Sequence, residues 1–232
     1  MTGIAVDIGE CRLDGDDNVA VEAAWSWLCD EERARAAEFV FEHDRCRFVR
    51  ARGYLRSRLA ARLRLSPRDV PIAVGADGKP FVEGHDLSFN LSHSGAHAVL
   101  AISAAGEVGI DLEVEDRGDG LGGQIDGLVD LCMTGQEQAA LAASPPERRV
   151  RRFLSYWTAK EARMKLSGEG FALDPLQISL ELAKGRPVGY RRPRGRRADL
   201  RFVPLSRPDA ICCLAVWRDA RDAAPSVAGE FR

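Results

Sequence analysis

Residues 157–171, which read WTAKEARMKLSGEGF, carry the clearest sign of chemistry in this chain. Two of its four lysines lie here, at Lys160 and Lys165, although arginine supplies nearly all of the other positive charge. Trp157, Glu161 and Lys165 recur at every fourth position, so a helix would place them on one face. A lysine ammonium can give up a proton, whereas arginine cannot. The pattern indicates either a reactive Glu–Lys pair or an ordinary surface ion pair beside a packed tryptophan.

The segment VGIDLEV, residues 108–114, has the alternation of a β-strand. A period of two places Asp111 and Glu113 on one face and the apolar residues between them on the other. Neighbouring carboxylates repel each other unless a cation lies between them, and Mg²⁺ prefers carboxylate oxygens together with water. The segment is therefore either one wall of a magnesium site or a half-buried strand whose solvent face is acidic.

The segment FNLSHSG, residues 89–95, ends an apolar strand with the polar side chains of Asn90, Ser92, His93 and Ser94. Adjacent serine and histidine residues on a strand point to opposite faces, and the sequence has no G-x-S-x-G motif, so a hydrolase triad is not indicated. Imidazole, hydroxyl and backbone N–H groups together are typical of a phosphate site. A role in capping a turn is the alternative.

Other basic residues are less specific. The turn ADGKP places Lys79 before a proline, and Arg33 and Arg35 follow the acidic start of a helix. The tract at 186–201 is rich in arginine but has only Tyr190 as a stacking aromatic residue, which argues against nucleic-acid binding. We expect a solvated loop there, and contact with an acidic protein partner is the functional alternative.

Helices must position these residues in both halves of the chain. Apolar spacing predicts two helices in residues 20–41, with Asp30 as the N-cap of the second. A long amphipathic helix, basic on its other face, is predicted over residues 42–65 and ends before Ser66-Pro67.

The second half opens with a glycine-rich stretch at 117–124, which predicts a loop. Thr134 and Glu137 have the spacing of a helix capping box. A further helix, at about 146–166, carries the Glu161 and Lys165 face and ends at the glycines of SGEG.

Strands are predicted where apolar and β-branched residues alternate between short turns. These segments are residues 71–75, 87–93, 96–103, 108–114, 176–182, 198–205 and 210–217. Helices followed by antiparallel strands in each half favour an α+β fold. We place the boundary between an N-terminal half, 1–108, and a C-terminal half, 109–232.

Composition narrows the class of protein. The chain has 232 residues, 45% hydrophobic content and a formal net charge of -2, which suits one large globular domain or two packed halves and gives no overall case for nucleic-acid or membrane binding. No apolar run reaches the roughly 18–20 residues that span a bilayer, and the start lacks a signal-peptide pattern, so we expect a cytoplasmic protein. Six cysteines without a CxxC pair predict reduced thiols.

Four segments, taken in order, resemble the motifs of the 4'-phosphopantetheinyl transferase superfamily, specifically its larger surfactin-synthetase-activating type. That family has a GKP turn, an FN-[IL]-S-H segment, a (V/I)GID-[IL]-E strand and a W-x-x-KE-[SA]-x-x-K helix. The matching residues are 78–80, 89–93, 108–113 and 157–165.

The resemblance implies a pseudo-dimer of two similar α+β halves that acts as a monomer and binds coenzyme A between its halves. The implied reaction is Mg²⁺-dependent transfer of the 4'-phosphopantetheine arm of coenzyme A to a serine of an apo acyl- or peptidyl-carrier protein, with release of 3',5'-ADP. Positioning and electrostatic stabilisation suffice for such a transfer, and the motif residues are of the types that provide them.

The resemblance also implies roles for individual residues. The metal ligands would be Asp111, Glu113 and Glu161. Glu161 would help to deprotonate the carrier serine, and Lys165 would neutralise or protonate the leaving phosphate. The residues implied to contact the 3'-phosphate and adenine end of coenzyme A are Arg35, Gly78, Lys79, Asn90, Ser92 and His93.

Some positions depart from the family pattern. The stretch LCMTGQE replaces the FsxxE that often precedes the residue equivalent to Glu137, so Glu137 receives no metal or base role. Glu32 lies where some relatives have a basic residue that holds phosphate. Lys160 matches the motif, but no physical role follows from the sequence. Residues 117–124 lie in the region where relatives contact the carrier.

Two other readings remain open. The first is a catalytically silent relative that binds coenzyme A or a carrier protein, and the presence of Asp111, Glu161 and Lys165 argues against it. The second is a nucleic-acid-binding protein that uses the arginine tract, which the net charge and the missing aromatic residues disfavour.

Overall fold

The order of helices and strands in the first half of the chain repeats in the second half. The computed structural model describes residues 5–15, 18–115, 121–191 and 196–218. The first half contains β1 (Asp7–Arg12), α1 (Asn18–Trp27), α2 (Asp30–Ala37), α3 (Glu42–Leu63), β2 (Ile72–Val74), β3 (Pro80–Val82), β4 (Ser88–Ser94) and β5 (His97–Ser103). The second contains β6 (Val108–Val114), α4 (Leu121–Cys132), α5 (Gly135–Ala142), α6 (Pro146–Ser167), β7 (Leu180–Ala183), β8 (Arg186–Tyr190), β9 (Ala198–Phe202) and β10 (Ala210–Trp217).

The sheets repeat in the same way as the element order. The strand orders are β1-β5-β4 and β6-β10-β9, and both three-stranded sheets are antiparallel. Each half adds a two-stranded hairpin, β2–β3 or β7–β8, directly after its long helix. The second unit begins at β6, whose first residue is Val108. The predicted α+β fold of two similar halves is therefore confirmed.

Apolar side chains hold these elements in four layers. Leu55 and Leu59 of α3 pack on Phe89 and other residues of the first sheet. A second core lies between the two sheets and takes alternate residues of β5, β6 and β10, Ile110 among them. A third lies between α6 and the second sheet and includes Phe153. Each sheet thus has a helix on one face and the other sheet on the opposite face.

Local sequence explains where α6 begins and ends. Pro146 occupies the first turn, where the missing N–H costs nothing because that group has no partner within the helix. The helix ends at Gly168, which has φ +79°, and this left-handed conformation favours glycine. Between these ends, α6 carries buried apolar residues on the face that packs on β6 and β10.

Edge strands β4 and β6 join the two halves through side chains, without a shared backbone ladder. Four backbone N–H groups of β6 donate to side chains that recur at every second position of β4. These pairs are Val108 N to Ser88 Oγ (3.3 Å), Ile110 N to Asn90 Oδ1 (2.8 Å), Leu112 N to Ser92 Oγ (3.2 Å) and Val114 N to Ser94 Oγ (3.2 Å). The constant offset of 20 positions shows that the two strands run parallel. We call this contact the β4–β6 seam.

Gly109 allows β6 to lie directly against the last turns of α6. A Cβ atom at this position would lie 2.2 Å from the carbonyl oxygen of Ala162 and 2.3 Å from the backbone nitrogen of Leu166. Both atoms belong to helical backbone, which cannot move aside as a side chain would. The G of the VGIDLEV segment therefore sets the distance between the strand that carries Asp111 and the helix that carries Lys165.

Three local expectations need correction, and one strand of the first sheet was not predicted. Asp30 is the first residue of α2, and its N-cap is Cys29, because Glu32 closes a capping box on the Cys29 N–H. Of the loop predicted at 117–124, residues 121–124 belong to α4, and 117–120 lie outside the described residues. The tract at 186–201 contains β8 and β9, so it is no solvated loop over its described part. Strand β1 had no clear sequence signal.

The structure also describes the cysteines and the lengths of the apolar helices. All six cysteines are free thiols, and three of them are buried. In the part of the chain that the structure describes, no helix combines the length and apolar character needed to cross a membrane.

We predict that Gly109→Ala lowers the free energy of unfolding by about 1–3 kcal/mol, because the added methyl group forces β6 away from α6. Gly127→Ala on α4 is the matched control, since a Cβ there meets nothing within 4 Å and alanine favours the helix by about 0.5–1 kcal/mol. Urea unfolding of both variants tests this. Equal stability of the two variants would show that the close approach is unimportant.

Candidate active site

Lys165 of α6 reaches across the β4–β6 seam to both halves of the molecule. Its Nζ donates to Asp111 Oδ1 on β6 (2.6 Å) and to Ser92 Oγ on β4 (3.0 Å). The Ser92 hydroxyl in turn donates to Asp111 Oδ1 (2.9 Å) while it accepts from the Leu112 N–H. Three predicted site residues therefore form one connected group at the seam.

Glu161 lies one helical turn before Lys165 and faces the same group. Its Oε2 is 3.9 Å from Lys165 Nζ. Burial raises the pKa of Glu161 to about 7, and the negative charges of Asp111 and, more weakly, Glu113 add to this shift, although Lys165 opposes it. A carboxyl group with a pKa near neutrality can accept or donate a proton at physiological pH.

Asp111 and Glu113 lie on one face of β6, as the strand alternation predicts, and Ile110, Leu112 and Val114 are buried between the sheets. Glu113 Oε2 accepts a hydrogen bond from Ser94 Oγ (2.9 Å). Asp111 is 4% exposed, and its Oδ2 is buried without a hydrogen-bond partner. A buried, unpartnered carboxylate oxygen is costly unless a cation or a donor reaches it.

The carboxylates of Asp111, Glu113 and Glu161 can be compared with the ligands that Mg²⁺ prefers. Among the described residues, no three His, Cys, Asp or Glu side chains form a ready-made metal cluster. The donor set nevertheless fits, because it consists of oxygen atoms alone and includes the unpartnered Asp111 Oδ2. Burial is the main cause of the raised pKa of Glu161, and the repulsion from Asp111 and Glu113 that adds to it is what a bound cation would relieve.

A cavity of about 490 Å³ lies between α3 and β4, next to this group. Asn90 and His93 belong to its lining, as do Arg47, Arg52 and Asp44 of α3. Arg47 pairs with Asp14, and Arg52 pairs with Glu32. Desolvation, and then the nearby charge of Lys165, lower the pKa of His93 below its usual value, which favours the neutral imidazole. The size of the cavity is in the range of small-molecule sites.

The other residues expected to contact coenzyme A lie outside the lining of this cavity. Arg35 is exposed in the last turn of α2, and Ser92 is buried at the seam. Gly78 and Lys79 lie in the turn between β2 and β3, where Gly78 has φ +82°. Asn90 both lines the cavity and accepts the Ile110 N–H, so it has a structural partner that the sequence did not reveal.

Sequence reasoning also missed the role of Glu32. Its carboxylate pairs with Arg52 and with the nearly buried Arg56, whose Nε lies 2.5 Å from Glu32 Oε2. Arg56 donates further to the carbonyl oxygens of Pro67, Arg68 and Val70. Glu32 thus neutralises the charge of Arg56 inside the first half. It also pairs with Arg52, which lines the cavity.

Lys160 and Glu137 form an ion pair that is completely buried in the second half. Lys160 Nζ lies 2.8 Å from Glu137 Oε2, both side chains are 0% exposed, and the ammonium also donates to Pro175 O (2.8 Å). Glu137 accepts N–H groups from Thr134 and Leu180. The pair therefore ties α5, α6 and the start of β7 together, which gives both residues a structural role.

Comparison with protein families agrees with this geometry. Residues 107–215 match the model of the 4'-phosphopantetheinyl transferase superfamily, and residues 17–105 match that of the 4'-phosphopantetheinyl transferase N-terminal region. The boundary between the two matches coincides with the turn between β5 and β6.

Individual relatives point the same way. A phosphopantetheinyl transferase of Thraustochytrium is 30% identical over 87% of this chain and 75% of its own length. The 4'-phosphopantetheinyl transferase HetI of Nostoc is 36% identical over 66% of this chain and 65% of its own length. The chain belongs to the 4'-phosphopantetheinyl transferase superfamily. It spans less than two thirds of the Nostoc protein and 58% of a Synechocystis relative that is 32% identical over 62% of this chain.

We predict that Lys160→Met lowers the free energy of unfolding by about 3–5 kcal/mol, because it leaves the Glu137 charge buried without its partner. The double variant Lys160→Met/Glu137→Gln should recover part of this loss, since no charge then remains. Urea unfolding measures both. A loss below about 1 kcal/mol in the single variant would contradict the structural role of the pair.

We predict that Asn90→Leu destabilises the fold by about 1–3 kcal/mol, because the buried Ile110 N–H loses its acceptor. Gln177→Leu, at an exposed position, is the control and should change stability by no more than about 0.5 kcal/mol. Thermal and urea unfolding give the comparison. If the two variants were equally stable, the seam would contribute nothing at this position.

Proposed function

We propose that this chain transfers the 4'-phosphopantetheine arm of coenzyme A to a serine of an apo acyl- or peptidyl-carrier protein. The observation that carries the proposal is the contact group at the seam, in which Lys165 binds Asp111 and lies next to Glu161. Membership of the superfamily supports it. We also propose that one chain suffices for activity, because the group draws on both halves of the same molecule.

The chemistry required is a displacement at the β-phosphorus of coenzyme A. The serine oxygen forms a bond to phosphorus, the bond to the bridging oxygen breaks, and 3',5'-ADP leaves. Such a step depends on positioning and on neutralising spread negative charge rather than on covalent chemistry by the protein.

Glu161 and Lys165 can perform the proton and charge work of this step. Glu161, which lies one helical turn from Lys165 and faces Asp111, is able to accept the serine proton, directly or through a water molecule. The Lys165 ammonium can neutralise the leaving phosphate. In the absence of substrate this ammonium is held by Asp111 and Ser92, which fixes its position beforehand.

We propose Mg²⁺ as the cofactor, held by Asp111, Glu113 and Glu161. When bound, Mg²⁺ would neutralise the pyrophosphate and stabilise the charge that develops in the transition state. Ser92 and Ser94 would orient the carboxylates of Asp111 and Glu113, to which they already donate hydrogen bonds.

We propose that the nucleotide end of coenzyme A occupies the cavity between α3 and β4. Arg47, Arg52 and His93 offer donors to a phosphate, and the lining also includes the apolar rings of Phe39 and Phe48. Phe39 and Phe48 contact each other with their ring centroids 5.3 Å apart, so one side of the cavity is aromatic. An adenine ring can pack on such a surface.

The proposal is tested by incubating the chain with coenzyme A, Mg²⁺ and each of several apo carrier proteins, and by measuring the carrier mass. We expect the added mass of phosphopantetheine. Asp111→Asn and Glu161→Gln should each lower the rate by at least about 100-fold while the fold is kept, because each removes a carboxylate from the reacting centre.

Lys184→Ala is the matched control, because Lys184 is exposed in the β7–β8 turn, and it should leave the rate unchanged. Coenzyme A binding without any transfer would instead identify a catalytically silent relative. Normal turnover in both carboxylate variants would refute the assignment of these residues.

A further inference from the structure

The turn between β2 and β3 lies against the C-terminal end of α6, although the two segments belong to different halves. Lys79 Nζ donates to the carbonyl oxygen of Leu166 in the last turn of α6 (3.1 Å). The same ammonium pairs with Glu107, in the turn just before β6. The Lys79 side chain is only 14% exposed, so it is enclosed by these contacts.

The chemistry of a helix end explains why an ammonium is suited to this position. The last four carbonyl groups of a helix lack partners within the helix, and they carry the negative end of the helix dipole. Lys79 supplies both a donor for one of these groups and a positive charge at that end. The carbonyl oxygen of Met164 accepts the N–H of Gly168, which lies four residues later.

The fit of the turn to the helix end is close. A Cβ atom on Gly168 would lie 2.2 Å from Asp77 Oδ2, and Asp77 Oδ1 accepts the backbone N–H of Lys79 (3.0 Å). On another side, the last turns of α6 pack on Gly109 without room for a side chain. The helix end is thus enclosed by the β2–β3 turn and by β6.

Lys165 immediately precedes the residue that Lys79 holds. Its ammonium must lie against Asp111, and a displacement of about 1 Å in such a site can reduce a rate by about 100-fold. We infer that Lys79 is a positioning residue, which holds the last turn of α6 so that Lys165 meets Asp111. This role is separate from the coenzyme A contact that the resemblance implies for Lys79. The inference rests on the proposed function for its kinetic test.

Binding of coenzyme A and positioning of the α6 end are two roles for Lys79 that predict different kinetics. A residue that binds coenzyme A in both ground state and transition state raises KM when it is removed, whereas a residue that positions a catalytic group lowers kcat. Glu107 sharpens the distinction, because it contacts Lys79 from an exposed position in the turn before β6. A weaker effect of the same kind is expected when Glu107 loses its charge.

The first experiment compares Lys79→Met, Lys79→Arg and Glu107→Gln with the control Lys184→Met in carrier modification. For Lys79→Met we expect kcat to fall by about 10–100-fold with KM for coenzyme A within about threefold of wild type. Lys79→Arg should restore most of kcat, since arginine can also donate to Leu166 O and pair with Glu107. Glu107→Gln should lower kcat by a few-fold. A rise in KM with unchanged kcat would overturn the proposal.

The second experiment does not require activity. Amide hydrogen exchange of Gly168, whose N–H donates to Met164 O, reports local opening of the α6 end. In the ligand-free chain we expect exchange at Gly168 to be about tenfold faster in Lys79→Met than in wild type, and unchanged in Lys184→Met. Unchanged exchange in Lys79→Met would overturn the proposal even if the wild-type chain modifies carriers.

The exchange result also separates this inference from the proposed function. A chain that transfers nothing but shows faster exchange at Gly168 in Lys79→Met would refute the proposed activity and retain the positioning contact. If Lys79→Met fails to fold, Glu107→Gln provides the same exchange measurement from an exposed position, with an expected increase of a few-fold and the same contrary outcome.

Discussion

The β4–β6 seam is the contact on which the rest of the molecule depends. Both strands are edges of their sheets, and edge strands carry backbone N–H groups that need partners when they are buried. Here β6 finds its partners in the side chains of Ser88, Asn90, Ser92 and Ser94 rather than in a backbone ladder. This arrangement leaves room for Ser92 and Ser94 to contact Asp111 and Glu113 as well, so one row of polar side chains joins the halves and orients the acidic residues.

The charged side chains at the seam all come from the second half of the chain, and the first half contributes the Ser92 hydroxyl. Asp111 and Glu113 come from β6, Glu161 and Lys165 from α6, and Ser92 from β4. With one lysine among three carboxylates, the group has an excess of negative charge. Burial is the main cause of the raised pKa of Glu161, and this excess adds to the shift. Such an excess of negative charge is unfavourable, and it would favour the binding of a cation.

Local patterns in the sequence predicted the parts of the site that depend on a single element. The period of two along a strand predicted that Asp111 and Glu113 lie on one face. The helical period predicted that Glu161 and Lys165 lie on one face of a helix. Contacts between segments that are distant in the chain could not be predicted from local patterns. The contacts of Asn90 and Ser92 with β6 could not be predicted, because nothing local shows that β6 lies beside β4. Glu32, Lys160 and Glu137 have partners 20 or more residues away in the chain. The short strands β1, β3 and β8 lack a clear apolar alternation and were not predicted.

The core between the two sheets has a consequence for how the molecule unfolds. It is built from β5 of the first half and β6 and β10 of the second, so neither half can expose its inner sheet face to water without losing the contacts of the other. The halves repeat each other in element order, yet they share this interior and should unfold in one cooperative transition. A destabilising mutation in the core of the first half then also lowers the stability of the helix that carries Glu161 and Lys165, so the shared interior transmits its effect to a distant site.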